Sequence, residues 1–416
     1  MALKRELGLL TTILYGIGII LGAGIYALIG VGAGIAGNML WLAFLISSLI
    51  AIFTGLSYAE LASMFPKAAA EYRYTKKAFN REAFSFAIGW ILVAGTIIAA
   101  STVALGFAGY FTHLFGGDIV LVAVSLIVLM SLLNYTGIQA SARFNNFAAV
   151  IEAGGLLLVV AVWLLFPPEF PADLLELPEG GFTSIITAVG IIFFAYIGFE
   201  NIANLAEEVK DSRRNIPLAL IISLLISTVL YVLVSIAAIG EVGAAALSQS
   251  DAPLTLVVSR ALAGNSYILS YIALFATGNT VLIFLIAASR ILYGMSASGS
   301  ISKFFSVTDS HGTPKYSILF TAAIASAIAF SGNIKIIAQL TDLGVFLAYI
   351  AVNASLIALA GSKSKRQFTS PRVAGIPVLA WLGLLSSLFM VASFELELWA
   401  LEAAVIMAGL VLYKIR

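Results

Sequence analysis

Apolar runs of about 20 residues or more recur along this chain, separated by short polar or Gly/Pro-rich breaks, and that recurrence constrains the fold more than any other feature. With 61% hydrophobic and 10% charged residues among 416, the chain is an all-α polytopic membrane protein. A transmembrane barrel is excluded because the runs do not alternate as strands do. The breaks divide the chain into about twelve spans, near 7–36, 40–64, 84–111, 119–137, 142–166, 183–206, 215–240, 265–297, 315–331, 336–360, 373–393 and 396–414. Cysteine is absent, so neither disulfides nor thiolate chemistry is available. The two histidines, His113 and His311, are both expected in loops. With no nucleotide-binding loop, no plausible metal site and no nucleophile–base pair, an enzyme is not expected.

The distribution of positive charge orients the spans. Placing Lys4 and Arg5 inside puts every other Lys and Arg of the 22 inside except Arg260 and Lys335. An even number of spans with both termini cytoplasmic follows. The N-terminus lacks the short apolar core and cleavage site of a secretory signal and reads as the cytoplasmic start of the first span. The loop carrying Glu169, Asp173, Glu176 and Glu179 is purely acidic and falls outside. Residues 242–262, with Asp251 and Pro253, are too short and polar to cross and are expected as a separate helix on the outer surface.

Two spans should be discontinuous. Residues 16–24 read G-I-G-I-I-L-G-A-G within the first span, and four glycines at membrane depth disfavour a continuous helix. A break near Gly22 to Gly24 would expose the amides of a second half-helix, which attract an anion such as a carboxylate. Close helix packing through small residues is the blander reading. Five spans later, residues 190–201 read G-I-I-F-F-A-Y-I-G-F-E-N, with Gly198 at mid-span and Glu200 and Asn201 behind it. Glycine-interrupted spans at corresponding positions of two five-span halves point to an inverted-repeat transporter with its site at the midplane.

These residues resemble the amino acid-polyamine-organocation transporters over nearly the whole chain. The similarity rests on I-I-L-G-A-G-I-Y (Ile19 to Tyr26), Y-A-E-L-A-S-M-F-P-K-A (Tyr58 to Ala68), S-A-R-F-N-N (Ser141 to Asn146), F-F-A-Y-I-G-F-E (Phe193 to Glu200) followed by A-E-E-V-K-D-S-R-R-N-I-P, and S-R-I-L-Y-G-M-S (Ser289 to Ser296). The resemblance implies a LeuT-type fold. Residues 1–166 would form the first repeat, 167–182 an outer loop, 183–361 the second repeat and 362–416 two added spans. Two departures fall on the inner side: Ala68 to Tyr72 stands where the family has a small-Gly-small-x-Tyr run, and Ala297, Ser298 and Gly299 replace Arg-Asp-Gly.

The resemblance also suggests a site. Amides of Ala23, Gly24 and Ile25, beside Gly22, would hold a substrate carboxylate, and carbonyls of Ile20, Phe194, Ala195 and Ile197 its ammonium. Phe194 stands at the position of an aromatic that covers the ligand. Ile97, Ile98, Ser101, Asn279, Thr280 and Phe346 are expected as mostly apolar or small walls, which leans towards a neutral or hydrophobic amino acid.

Glu152 lies at membrane depth in the fifth span, where a carboxylate costs ~2.5–3.5 kcal/mol and should face the bundle interior. It could carry a proton, ligate sodium with Ser289 and carbonyls near Gly16 to Ile20, or serve as a permanently neutral structural group. Several proton-coupled family members have lysine there. Glu60 is expected to pair with Arg290 at an inner gate, Glu200 to bond freed amides or face the inner vestibule, and Asp342 to pair with Lys335 or guard the outer path. Asn134, Asn145, Asn146, Asn279 and Asn353 are expected to bond between helices.

The expected function is secondary active transport of amino acids across the cytoplasmic membrane, with proton as coupling ion and sodium the lesser choice. An ion-independent exchanger of amino acids or polyamines is the alternative. The expected partners are the substrate and the lipid bilayer. No cofactor, metal or nucleic acid is expected, and the oligomeric state is not legible.

Overall fold

Helix ends coincide with the polar breaks of the sequence almost throughout. The computed structural model describes residues 3–166, 172–250, 252–261, 267–310, 312–330, 334–392 and 394–415. Its helices are α1 (Leu9–Leu21), α2 (Ala23–Ala36), α3 (Leu40–Met64), α4 (Ala70–Phe79), α5 (Glu82–Phe115), α6 (Ile119–Tyr135), α7 (Ile138–Leu165) and α8 (Gly181–Ile192). They continue as α9 (Asn201–Asn204), α10 (Ser212–Ser248), α11 (Pro253–Ala261), α12 (Tyr267–Ala297), α13 (Lys315–Ala329), α14 (Ile334–Ala358), α15 (Val378–Val391) and α16 (Leu396–Ile415). Among the described residues, nine helical stretches are long and apolar enough to cross a membrane, and α6, α13 and α15 are shorter apolar helices. This is an all-α polytopic membrane protein.

Helix α1 lies at the centre, enclosed by α7, α10 and α12, and its residues from Tyr15 to Leu21 are buried. Around it α10 packs along α3, and α12 along α5. Large apolar side chains such as Leu121, Leu164 and Leu396 remain exposed on the perimeter, where the hydrocarbon of a bilayer can take them.

Three expectations change. Residues 242–262 do not form one separate helix: α10 continues to Ser248 beyond a break at Gly243 (φ 78°), and only α11 stands apart, packed on α2, α7, α10 and α12. Pro253 opens α11, where its missing N–H costs nothing, while Asp251 and His311 lie outside the described residues. His113 is within α5 instead of a loop, because that helix runs on to Phe115.

The third change is α4, which was not foreseen. Ten residues rich in Glu, Lys, Arg and Tyr give no apolar run, yet residues with positive φ bracket a helix, Ala69 at 54° and Asn80 at 51°. Glu71 in its first turn is buried and accepts from Asn204 Nδ2, while Asn204 Oδ1 accepts the Ala70 amide at 2.8 Å. Burial pushes the Glu71 carboxyl up to about 7.

Candidate functional site

The first break falls at Gly22 (φ −51°, ψ −138°), between α1 and α2. The amides of Ala23, Gly24 and Ile25 open the new helix, so they have no intrahelical acceptor. The second break is longer: α8 ends at Ile192, a single 3₁₀ turn spans Phe193–Tyr196, Ile197 is extended, and Gly198 takes φ 118°. Only glycine adopts that last conformation without strain.

The breaks meet backbone to backbone. A Cβ on Gly24 would stand 2.5 Å from Ala195 Cα, and one on Gly198 would stand 2.7 Å from Ile19 Cγ1. A Cβ on Gly22 would strike the Thr280 hydroxyl. Between them lies a cavity of about 10 Å³ bounded by Ile19, Ile20, Gly24, Val103, Phe194, Ala195, Ile197, Thr280 and Phe284. That volume holds roughly one water, too little for an amino acid, so the cavity must widen to take one. Five expected residues, Ile20, Gly24, Phe194, Ala195 and Ile197, line it together. Gly22, Ala23 and Ile25 belong to the adjoining turn.

The expected walls are mostly replaced. Thr280 lines the cavity, but Ser101 donates to Ala325 O at 2.8 Å, the Phe346 ring packs at a tilt on Phe193 with centroids 4.6 Å apart, and Asn279 bonds Glu152. Val103, two residues beyond Ser101, and Phe284, about one helical turn beyond Thr280, line it instead. Phe193 is fully buried, whereas Phe194 is partly exposed and reaches the cavity.

Three of the four expected carbonyls are engaged. The Tyr231 hydroxyl, from α10, donates to Ile20 O and lies 3.0 Å from Ala195 O, while Phe194 O accepts the Ile197 amide. One proton shared between two carbonyls ties both broken helices to α10, an arrangement that sequence spacing could not reveal. Removing that hydroxyl leaves two buried carbonyls unsatisfied, at ~1–3 kcal/mol. Tyr231→Phe should therefore lower the thermal midpoint of the detergent-purified protein, and an unchanged midpoint would mean the carbonyls find other donors.

Glu152 sits fully buried on α7. Its Oε1 accepts from Asn279 Nδ2 at 3.0 Å, and the same amide lies 3.2 Å from Asn145 Oδ1. Glu152 Oε2, Asn145 Nδ2 and Asn279 Oδ1 have no protein partner. A Cβ on Gly18 would stand 2.6 Å from Asn145 Oδ1, so this polar group presses on α1 where it approaches its break. Ser289 does not join it. Ser289 lies ten residues further along α12, roughly 15 Å away, and bonds Ile286 O, Asn134 and Arg290.

The pairing of Glu60 with Arg290 is also corrected. Glu60 Oε1 holds Arg366 and Arg372 at 2.5 Å each, and its Oε2 accepts the amide and hydroxyl of Ser370 at 2.9 and 2.6 Å. It clamps the segment between α14 and α15 to the end of α3. Arg290, fully buried, instead grips Glu208 through Nε and Nη2 at 3.2 and 3.1 Å and Asn134 Oδ1 at 2.7 Å. Glu208 was present in the A-E-E-V-K motif, but nothing in the sequence distinguished it from Glu207.

Glu200 accepts from the Gly198 amide at 2.9 Å and from Tyr349 at 2.8 Å, bracing the second break. Asp342 is buried with Oδ1 unpartnered, and the Lys335 side chain lies outside the described residues. Asn353 links α14 to Ser57 and Thr54 of α3 at 2.7 and 3.0 Å.

Residues 7–404 match the sequence profile of the amino acid permease family. The branched-chain amino acid permease of Bacillus subtilis is 30% identical, across 99% of this chain and 93% of its own length. The chain belongs to the amino acid permease family. This permease is also similar to the methylthioribose transporter of Bacillus subtilis, 29% identical over 91% of the chain and 87% of the relative. The mitochondrial cationic amino acid transporter 3 of Arabidopsis thaliana is 30% identical over 82% of the chain and 60% of its own length. The permease is a multi-pass membrane transporter and not an enzyme.

Proposed function

We propose that this permease carries a neutral, apolar amino acid across the cytoplasmic membrane by alternating access about its two breaks, coupled to protons. The observation that carries the reading is the apposition of the Gly24 and Ala195 backbones beside an apolar-walled cavity. Orphan amides at the start of α2 suit a carboxylate. The carbonyls of Ile20 and Ala195 suit an ammonium, which would take over from the Tyr231 hydroxyl. No residue bounding the cavity is charged, which fits the relative named for branched-chain substrates better than the one named for cationic ones. In this reading residues 1–166 and 183–361 are the inverted repeats, the face bearing Lys4 and Arg5 is cytoplasmic, and Glu208–Arg290 and the Glu60 clamp close that face.

Substrate class is tested by counterflow in proteoliposomes preloaded with leucine, isoleucine, valine, arginine or spermidine. Leucine, isoleucine or valine should exchange, and arginine and spermidine should not. Exchange of arginine or spermidine alone would overturn the substrate assignment.

Phe194 is proposed as the lid. Phe194→Ala should weaken substrate affinity by about tenfold, the loss of ~1.4 kcal/mol of contact, while Phe193→Ala should chiefly lower thermal stability. The reverse order in a binding titration would assign the lid to Phe193.

A further inference from the structure

We propose that the face bearing the N-terminal segment holds a second binding site, for a phosphate-bearing anion, in a cavity separate from the one between the breaks. This cavity measures about 810 Å³, within the range of small-molecule sites. Arg5, Lys67, Arg73, Lys76, Lys77 and Arg213 all border it, and none of its described lining residues is acidic.

Two of these cations are paired, Lys67 with Glu207 at 3.7 Å and Lys76 with Glu82 at 2.6 Å. The other four have no carboxylate partner among the described residues. Two of those four are held in place without being neutralised. Arg73 Nε donates to Ala68 O at 2.9 Å, and Arg213 Nη1 donates to the carbonyls of Ser63, Met64 and Lys365 at 2.7, 3.1 and 2.8 Å. Backbone carbonyls fix a guanidinium and leave its charge and remaining N–H donors available, and a fixed fork of such donors is what phosphate oxygens need.

Membrane topology by itself asks for basic residues near span ends. It does not ask that four unneutralised cations from three separate segments converge on one cavity, nor that two of them be braced by backbone.

The site also joins moving parts. Arg5 precedes a segment stitched to the chain after α9, through Glu6 N to Glu208 O and Lys210 N to Leu7 O, both 2.9 Å. Arg73 and Lys77 belong to α4, and Arg213 opens α10. An anion bridging them braces the N-terminal segment of α1 against α4 and α10.

The test uses the detergent-purified full chain with inorganic pyrophosphate in a calorimetric titration, and in parallel the protein purified from nanodiscs of phosphatidylglycerol or phosphatidylcholine, with retained lipid counted by native mass spectrometry. Arg5→Gln with Lys77→Gln is the variant, since both side chains are exposed and the fold is not at risk. Saturable pyrophosphate binding that weakens about tenfold in the variant supports the site and identifies a soluble anion as its ligand. Retention of phosphatidylglycerol alone, lost in the variant, supports the site and identifies a lipid headgroup. If neither is held, or both are held equally by the variant, the proposal fails. Neither readout involves amino acid transport, so this outcome is independent of the transport reading.

Discussion

Arg290→Met alone should destabilise the protein by about 3–5 kcal/mol, because it leaves Glu208 charged and buried without its partner. Both side chains are almost completely enclosed, at 0% and 3% exposure. The same substitution strips Asn134 Oδ1 of its donor at 2.7 Å. Glu208→Gln should cost a similar amount for the complementary reason. The decisive comparison is the double variant Arg290→Met with Glu208→Leu, in which no uncompensated charge remains; it should recover much of the loss, as hydrophobic replacement of a complete buried pair often does. The measurement is the thermal midpoint of monodisperse protein in detergent. Single variants as stable as the wild type, or a double variant worse than either, would mean that the pair is not the link between α12, α6 and the chain after α9.

A pH gradient, alkaline inside and without sodium, should drive leucine above its equilibrium level in proteoliposomes of the wild type but not of Glu152→Gln. One pH unit is worth ~1.4 kcal/mol, enough for about tenfold accumulation if one proton moves per substrate. Counterflow should survive in the variant, since Gln keeps the size of Glu152 and can still meet Asn279, while losing the titratable site. Equal accumulation by the two proteins would remove Glu152 as the carrier. Counterflow without accumulation in either would favour the exchanger. Accumulation only under a sodium gradient would overturn the proton assignment and leave Glu152 with Asn145 and Asn279 as the group to examine for a cation.

The departures from the sequence reading share one character. Approximate span positions, the break at Gly22 and the turn at Gly198 follow from composition, spacing and motif order, whereas the contact of Glu152 with Asn279, in place of the expected Ser289, does not. The partners of individual side chains mostly do not. Glu60 and Arg290 each sit near a helix end, which made them plausible partners, yet Glu60 faces Arg366 and Arg372 while Arg290 faces Glu208. Ser101 and Phe346 were assigned to the cavity and turn away from it, whereas Val103 and Phe284 point in. Helix α4 gave no apolar signal, and Tyr231 no motif signal, although its hydroxyl joins both breaks.

The sequence by itself determined the class of fold, roughly where the spans lie, where the helices must break, and the family. Those properties are one-dimensional: apolar length matched to a bilayer, glycine where the backbone leaves the helix, and motif order. Only the tertiary structure decided which side chains meet. One residue of register turns a helix by about 100°, so each helix's rotation about its axis sets whether a carboxylate meets an arginine, an amide or nothing. That rotation is fixed by packing against neighbours far away in the chain.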